Sequence, residues 1–268
     1  MAGDVDFASH GTLAVVTLRD SGRFNAMSLA MWGQLRAGFE RLARDGALRC
    51  VLVQGADGHF CAGGNITEYP QFRFDETRLR EFHERLVWGA LEAILACDVP
   101  VLARIEGNCM GAGLEIASCC DIRVAGRSAR FGAPIARLGF PMAPRELNLV
   151  LQAAGASAAR EMLLEAQVID AARMWQLGFL NQWVEDAALS AQVDARQQRI
   201  CALAPQVARM HKRMLRVLAG PGGSGPHATV APGPAALESL VADAYGYADS
   251  AEHREGIAAF IARRKPTF

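Results

Sequence analysis

The chain has no surplus of charge of either sign: 28 lysine and arginine residues meet 28 aspartate and glutamate residues across 268 positions. A neutral balance argues against the non-specific grip on nucleic acid that a basic surface provides. It leaves room for a local basic patch that takes a phosphorylated small molecule. No Cys-x-x-Cys pair occurs. The seven cysteines stand at 50, 61, 97, 109, 119, 120 and 201, an odd and scattered set that reads as reduced, mostly buried thiols. The opening Met1-Ala2-Gly3-Asp4-Val5-Asp6 lacks the basic and apolar regions of a secretory signal. No uncharged apolar run approaches the ~20 residues of a membrane span. A cytoplasmic chain with neither a membrane nor a nucleic-acid partner is expected. Metal-ligand spacing, a GxxxxGK[ST] phosphate loop and a G-x-G-x-x-G dinucleotide turn are absent too, so neither a metal nor a separate cofactor is expected.

What the chain has is an apolar half, 51% of its residues, ample for a large core, and alternating strand and helix signals. Residues 13–18 alternate and are β-branched, predicting a strand. Ser28 is placed to cap a helix carrying Leu29, Trp32, Leu35, Phe39 and Leu42 at helical spacing; the Trp32–Leu35–Phe39 stripe reads as core. Residues 50–54 complete a β-α-β unit. A loop over 70–77 and a long amphipathic helix over 81–96 follow, then a strand over 99–105, a short helix over 111–120 and a strand over 121–125. Phe131-Gly132-Ala133-Pro134 reads as a turn. Helices are predicted over 145–154, 158–164, 171–177 and 187–203. Residues 205–218 are amphipathic and basic. The Gly- and Pro-rich run 220–234 reads as a linker or irregular loop, and 235–264 as a last helical region. The expected organisation is an α/β core over 1–200 and a helical C-terminal region over 201–268.

Two small-residue turns stand out: Phe60-Cys61-Ala62-Gly63-Gly64-Asn65 and Gly107-Asn108-Cys109-Met110-Gly111-Ala112-Gly113. Each follows a predicted strand. Tiny side chains there admit a close approach to the backbone and leave N–H groups free, and two such turns suggest amides converging on one anionic oxygen. The second opens a helix with Glu115 in its first turn. That carboxylate could move a proton beside the bound oxygen, or be an ordinary first-turn acid favoured by the helix dipole. Burial would raise its pKa and the helix start would lower it.

These residues resemble the crotonase superfamily of enoyl-CoA hydratases, isomerases and relatives. The matching stretches are Arg23-Phe24-Asn25-Ala26-Met27-Ser28, both glycine turns, Val99-Pro100-Val101-Leu102-Ala103 and Cys120-Asp121-Ile122-Arg123-Val124-Ala125. Further matches are Phe131-Gly132, Leu138-Gly139, Gly178-Phe179-Leu180-Asn181 and Glu255-Gly256-Ile257-Ala258-Ala259-Phe260. The resemblance implies a spiral of ββα units, a C-terminal helical region that builds trimers or dimers of trimers, and an acyl-CoA thioester as substrate, coenzyme A being part of that substrate. It implies an oxyanion hole from the N–H groups of Gly64 and Ala112, with Glu115 as acid/base. It also implies a substrate surface drawn from Arg23, Ala26, Ala62, Asn65, Ile66, Gly111 and Ile135, with Phe260 and Lys265 near the adenine end.

The departures from the pattern matter as much. Hydratases of this family use two glutamates, and the second falls at Ile135, which cannot move a proton. The usual Gly-rich helix start after Leu138-Gly139 is replaced by Pro141-Met142-Ala143-Pro144-Arg145-Glu146, and the usual Asp after the first turn is Asn65. Glu146 is expected to cap its helix or pair with Arg145, and only secondarily to act as a replacement acid. His59 reads as a loop residue facing solvent, His83 as a helix residue that could face the acyl pocket, and Asp121 as a group ordering a turn. Cys61 and Cys109 read as small packing residues, and Arg23, Arg263, Arg264 and Lys265 as surface charges or phosphate contacts. Three functions follow: an enoyl-CoA hydratase or isomerase, an isomerase or decarboxylase working with a single acid/base, or an acyl-CoA-binding protein without catalysis.

Overall fold

The computed structural model describes residues 3–219 and 234–268. Strands β1 (Asp4–His10) and β2 (Leu13–Arg19) form an antiparallel hairpin through Gly11 at φ 63°. Helix α1 (Leu29–Leu42) follows, capped by Ser28 Oγ on the Met31 N–H as the sequence predicts. Strand β3 (Cys50–Gly55) then leads to a 3-10 turn (Ile66–Gln71), helix α2 (Glu76–Glu81), a π-helical segment (Phe82–Val87) and helix α3 (Trp88–Ala96). The next units are β4 (Val101–Ile105), β5 (Asn108–Met110) and α4 (Ala112–Cys119), then β6 (Ile122–Gly126), β7 (Arg130–Gly132) and α5 (Pro144–Leu164). After β8 (Ile169–Asp170), α6 (Ala171–Gln176) and β9 (Gln182–Val184) come helices α7 (Leu189–Cys201), α8 (Pro205–Ala219), α9 (Pro234–Asp243) and α10 (Ala251–Ile261).

Two sheets carry this order. The larger runs β1-β2-β3-β4-β6-β9, parallel after the first hairpin; the smaller runs β5-β7-β8. The units β4-β5-α4 and β6-β7-α5 each contribute a strand to the large sheet, a short strand to the small one and then a helix, the ββα repeat of the spiral. A parallel sheet buried on both faces demands apolar residues at successive positions, and β3 shows why. Val51 and Val53 point to the main core with α1, α3 and α4, while Cys50 and Leu52 point the other way with Leu102 and Val124, against Leu189 and Val193 of α7.

Several expectations are corrected. Strand β1 is additional: its alternation is weak, and it is held by pairing with β2 and by the Phe7 ring packed on Gly38 of α1, where any Cβ would collide with it. The turn expected at 131–134 is β7 followed by a 3-10 turn (Pro134–Leu138). The loop over 70–77 ends in α2, so the helical stretch begins at Glu76 rather than at 81. The two helices expected over 145–164 are one element broken at Gly155, whose φ of 82° interrupts the helical path. The last helical region is two helices, α9 and α10. The run 220–233 lies outside the described residues.

The basic character of α8 has a structural use. Its cationic stripe docks on the end of α3 and the start of β4: Arg216 donates to the Leu95 carbonyl and pairs with Asp98, while Arg213 also reaches Asp98. Lys212 is buried; its Nζ donates to the Val99 carbonyl at 2.9 Å and pairs with Asp121 Oδ2 at 2.7 Å. Asp121 in turn accepts from the Val101 N–H, so it orders the chain as expected, through a pairing with α8 that the sequence does not reveal. Replacing Lys212 by Ala strips a buried carbonyl and a half-buried carboxylate of their partner, a loss of about 2–3 kcal/mol. Urea unfolding of Lys212→Ala is expected to show a lower midpoint; an unchanged midpoint would mean that this tie contributes nothing.

Candidate active site

The two glycine turns lie against each other. Cys61 N–H donates to the Asn108 carbonyl and Met110 N–H to the Cys61 carbonyl, 2.8 and 2.9 Å, forming a parallel bridge between Cys61 and Cys109. The contact is backbone on backbone. A Cβ at Gly113 would stand 2.6 Å from the Cys61 carbonyl oxygen, and Gly63 and Gly111 adopt φ of 115° and 46°, values that side chains disfavour. The stretch 23–28 is a brace for the first turn. Asn25 is fully buried, and its Nδ2 donates to the Ala56 and His59 carbonyls while Oδ1 accepts from Asp20 N–H. Met27 N–H donates to the Gly63 carbonyl and Asn65 N–H to the Met27 carbonyl. These bonds leave the Gly64 N–H without a protein acceptor among the described residues, and the Ala112 N–H is left free at the start of α4.

Both amides border a cavity of about 320 Å³. Of the residues proposed from sequence, Ala62, Gly64, Ile66, Gly111, Ala112, Glu115 and Ile135 line it. Five others do not. Ala26 is buried behind the first turn, and Asn65 caps the 3-10 turn through Thr67. Arg23 is exposed and pairs with Asp20 at 3.5 Å. Phe260 is 85% exposed on α10, and Lys265 is exposed near the C-terminus.

The chemistry concentrates in carboxylates. Glu115 is buried in α4, every residue of which is buried. Its carboxyl is held well above the ordinary range, first by burial and then by the charge of Glu146. Burial therefore overrides the helix start, as it should: full desolvation moves a carboxyl by several pH units, whereas a helix dipole supplies about 1 kcal/mol or less. Glu146 is the surprise. It makes no cap and does not pair with Arg145, which instead pairs with Glu84 at 3.2 Å. Its side chain is buried and lines the cavity, with Oε1 2.8 Å from Nδ1 of His83, also a lining residue. Pro144 at the first position of α5 and the left-handed Gly139 reverse the chain after the Pro134–Leu138 turn, returning position 146 to the space that Ile135 leaves apolar.

The remaining candidates are structural. His59 Nδ1 accepts from Asn108 N–H, tying the two turns together rather than facing solvent. Cys61 and Cys109 are fully buried, and burial pushes the Cys61 thiol up to about 12, so neither is a ready nucleophile. Sequence reasoning missed Tyr69, Arg73, Phe82 and Phe140 in the cavity wall; no local pattern marks them. Among the described residues no cluster of ligating side chains could hold a metal ion, and no helix is long and apolar enough to cross a membrane.

The enoyl-CoA hydratase/isomerase family profile matches residues 8–268. A Mycobacterium tuberculosis protein named "Probable enoyl-CoA hydratase" is 30% identical over 213 residues, covering 78% of this chain and 80% of the relative. A Rhizobium meliloti protein of the same name is 25% identical over 260 residues, 97% of this chain and 95% of that one. The crystal structure of an enoyl-CoA hydratase/carnithine racemase from Magnetospirillum magneticum superimposes with a TM-score of 0.89 at 35% identity, covering 98% of this chain and 94% of that chain. The spiral, the paired turns and these matches lead to one conclusion: the chain belongs to the enoyl-CoA hydratase/isomerase family of the crotonase superfamily.

Proposed function

We propose that this acyl-CoA enzyme hydrates 2-enoyl-CoA thioesters through an enolate held by the Gly64 and Ala112 N–H groups, with Glu115 and Glu146 as its acid/base pair. The observation that carries the reading is two buried carboxyls facing one cavity, close enough that the charge of one raises the pKa of the other. Adding water across a double bond needs one group to take a proton from water and another to supply a proton at the α carbon. A carboxyl that holds a proton beside a second carboxylate that can accept one offers both roles at once. Burial favours the protonated form of Glu115, while the His83 contact orients Glu146. The thioester oxygen gains negative charge as the enolate forms, and free amides at that point lower the barrier; one such donor is worth about 3–4 kcal/mol.

A second reading, double-bond migration or decarboxylation with Glu115 alone, draws on Ile135, which removes the acid/base usual at that position. Non-catalytic acyl-CoA binding is the third. Exposed apolar side chains of the C-terminal region, Tyr245 between α9 and α10 and Phe260 and Ile261 on α10, support assembly into trimers or dimers of trimers, and seven free thiols suit a reducing cytoplasm.

Glu115→Gln is expected to lower kcat for crotonyl-CoA hydration by about 100-fold or more. Glu146→Gln is expected to lower hydration comparably while conversion of 3-enoyl-CoA to 2-enoyl-CoA survives. Unimpaired hydration by Glu146→Gln would return the enzyme to the single-carboxylate reading, and absence of turnover by the wild type would favour binding alone. A stability signature accompanies the first variant. Glu115 holds its proton more tightly folded than unfolded, so its contribution to stability is full below the ordinary carboxylate range and is lost as pH rises toward its elevated folded pKa. Glu115→Gln, which carries no such penalty, is expected to melt higher than wild type, with a gap that widens as pH rises above the ordinary carboxylate range; a constant gap would contradict the raised pKa.

A further inference from the structure

The cavity holds a cation that the proposed hydration leaves unused. Arg73 follows the 3-10 turn, and its guanidinium lies on aromatic faces, 3.4 Å from the Phe140 ring centre and 4.5 Å from that of Tyr69. The guanidinium also hydrogen-bonds the Tyr69 side chain, but neither that hydroxyl nor the aromatic faces supplies a counter-charge. Its Nε is buried without a hydrogen-bond partner. Among the described residues Arg73 forms no ion pair, whereas ten other arginines do.

Neither catalytic carboxyl serves as its counter-ion. Glu146 is engaged with His83. The forces on Glu115 are burial and Glu146, both raising its pKa, whereas an adjacent guanidinium would lower it. Arg137, the other arginine in the wall, differs: it is exposed and donates to the Ala166 carbonyl. Arg73 is therefore a flat, oriented donor fork held in an aromatic cradle beside the reacting groups, with no anion of the protein's own. A half-buried cation left in that state is costly unless a ligand completes it. The group that a guanidinium fork best complements is a planar carboxylate.

Resting on the assignment of this cavity to the acyl group, the geometry points to a substrate acyl chain that bears a carboxylate of its own, bound by Arg73. The enzyme is then specific for CoA monothioesters of unsaturated dicarboxylic acids. Val87, Met142 and Leu138 give the cavity apolar wall for the intervening carbons, and Arg73 sets where the chain ends.

The test compares two six-carbon substrates that differ only in the terminal group, trans-2-hexenedioyl-CoA and trans-2-hexenoyl-CoA. Wild type is expected to favour the carboxylate-bearing thioester in kcat/KM by about 30-fold or more, the range of a charge-assisted hydrogen-bonded pair. In Arg73→Leu that ratio is expected to collapse toward one, and Arg73→Lys is expected to restore it in part, since an ammonium keeps the charge but not the fork. A wild-type preference for the neutral thioester, or an equal loss on both substrates in Arg73→Leu, overturns the proposal; the latter would make Arg73 a contact for coenzyme A or for the fold. Failure of the hydratase reading is separated by calorimetry with the unreactive adipoyl-CoA and hexanoyl-CoA. The same Arg73-dependent ratio in Kd is expected there whether or not the enzyme turns over, and equal affinities would count against the proposal.

Discussion

Everything at this site depends on one backbone contact, the meeting of Cys61 with Asn108 and Met110. Two loops separated by a whole β-α-β excursion are fused there at van der Waals distance, with no side chains between them. The brace from Asn25 and the closeness of Gly113 to the Cys61 carbonyl exist to hold that contact. Once it is fixed, two amides without internal partners border the same space, and α4 must begin where it does. The helix that follows is buried on every side, so its one acidic residue is committed to the cavity or to nothing. The fold dictates the site in this sense: a carboxyl at position 115 has nowhere else to go.

Under the proposed hydration, the buried pair of Glu115 and Glu146 answers for the apolar residue at position 135. Ile135 keeps the wall apolar, and a second carboxyl enters the same cavity from the next helix. The replacement is not a point change. It needs the reversal at Gly139, the proline that starts α5 and a partner at His83 to orient the new carboxyl. Arg73 extends the same reasoning from reaction to substrate, because a charge without a counter-charge in the protein implies one in the ligand.

What the sequence made legible was local. Glu115, Gly64 and Ala112 lie inside continuous motifs whose spacing already describes strand, turn and helix start, and all three line the cavity. Glu146 was read as a capping residue because first-turn acids usually are; its burial depends on α4 packing beside α5, a contact between segments thirty residues apart. His83 was legible as a residue that could face the pocket but not as the partner of Glu146, and Arg73 was opaque, because both contacts join segments distant in sequence. Strand β1 escaped notice because its pairing with β2, more than its own pattern, makes it a strand. Asp121 was understood in role but not in partner, since Lys212 lies some ninety residues away.

The π-helical segment between α2 and α3 has a consequence of its own. A π turn widens the hydrogen-bonded ring by one residue, which rotates everything on one side of it by about 100° relative to the other. On the far side, Ala90, Leu91 and Ile94 are locked into the core; on the near side, α2 buries nothing. Phe82 and His83 sit at the seam and face the cavity. The widened turn thus joins a buried half and an unburied half of one rod. Since α2 buries nothing, its surface is decoupled from the sheet beneath, and the rod touches the cavity only through the widened turn, at Phe82, His83 and Val87.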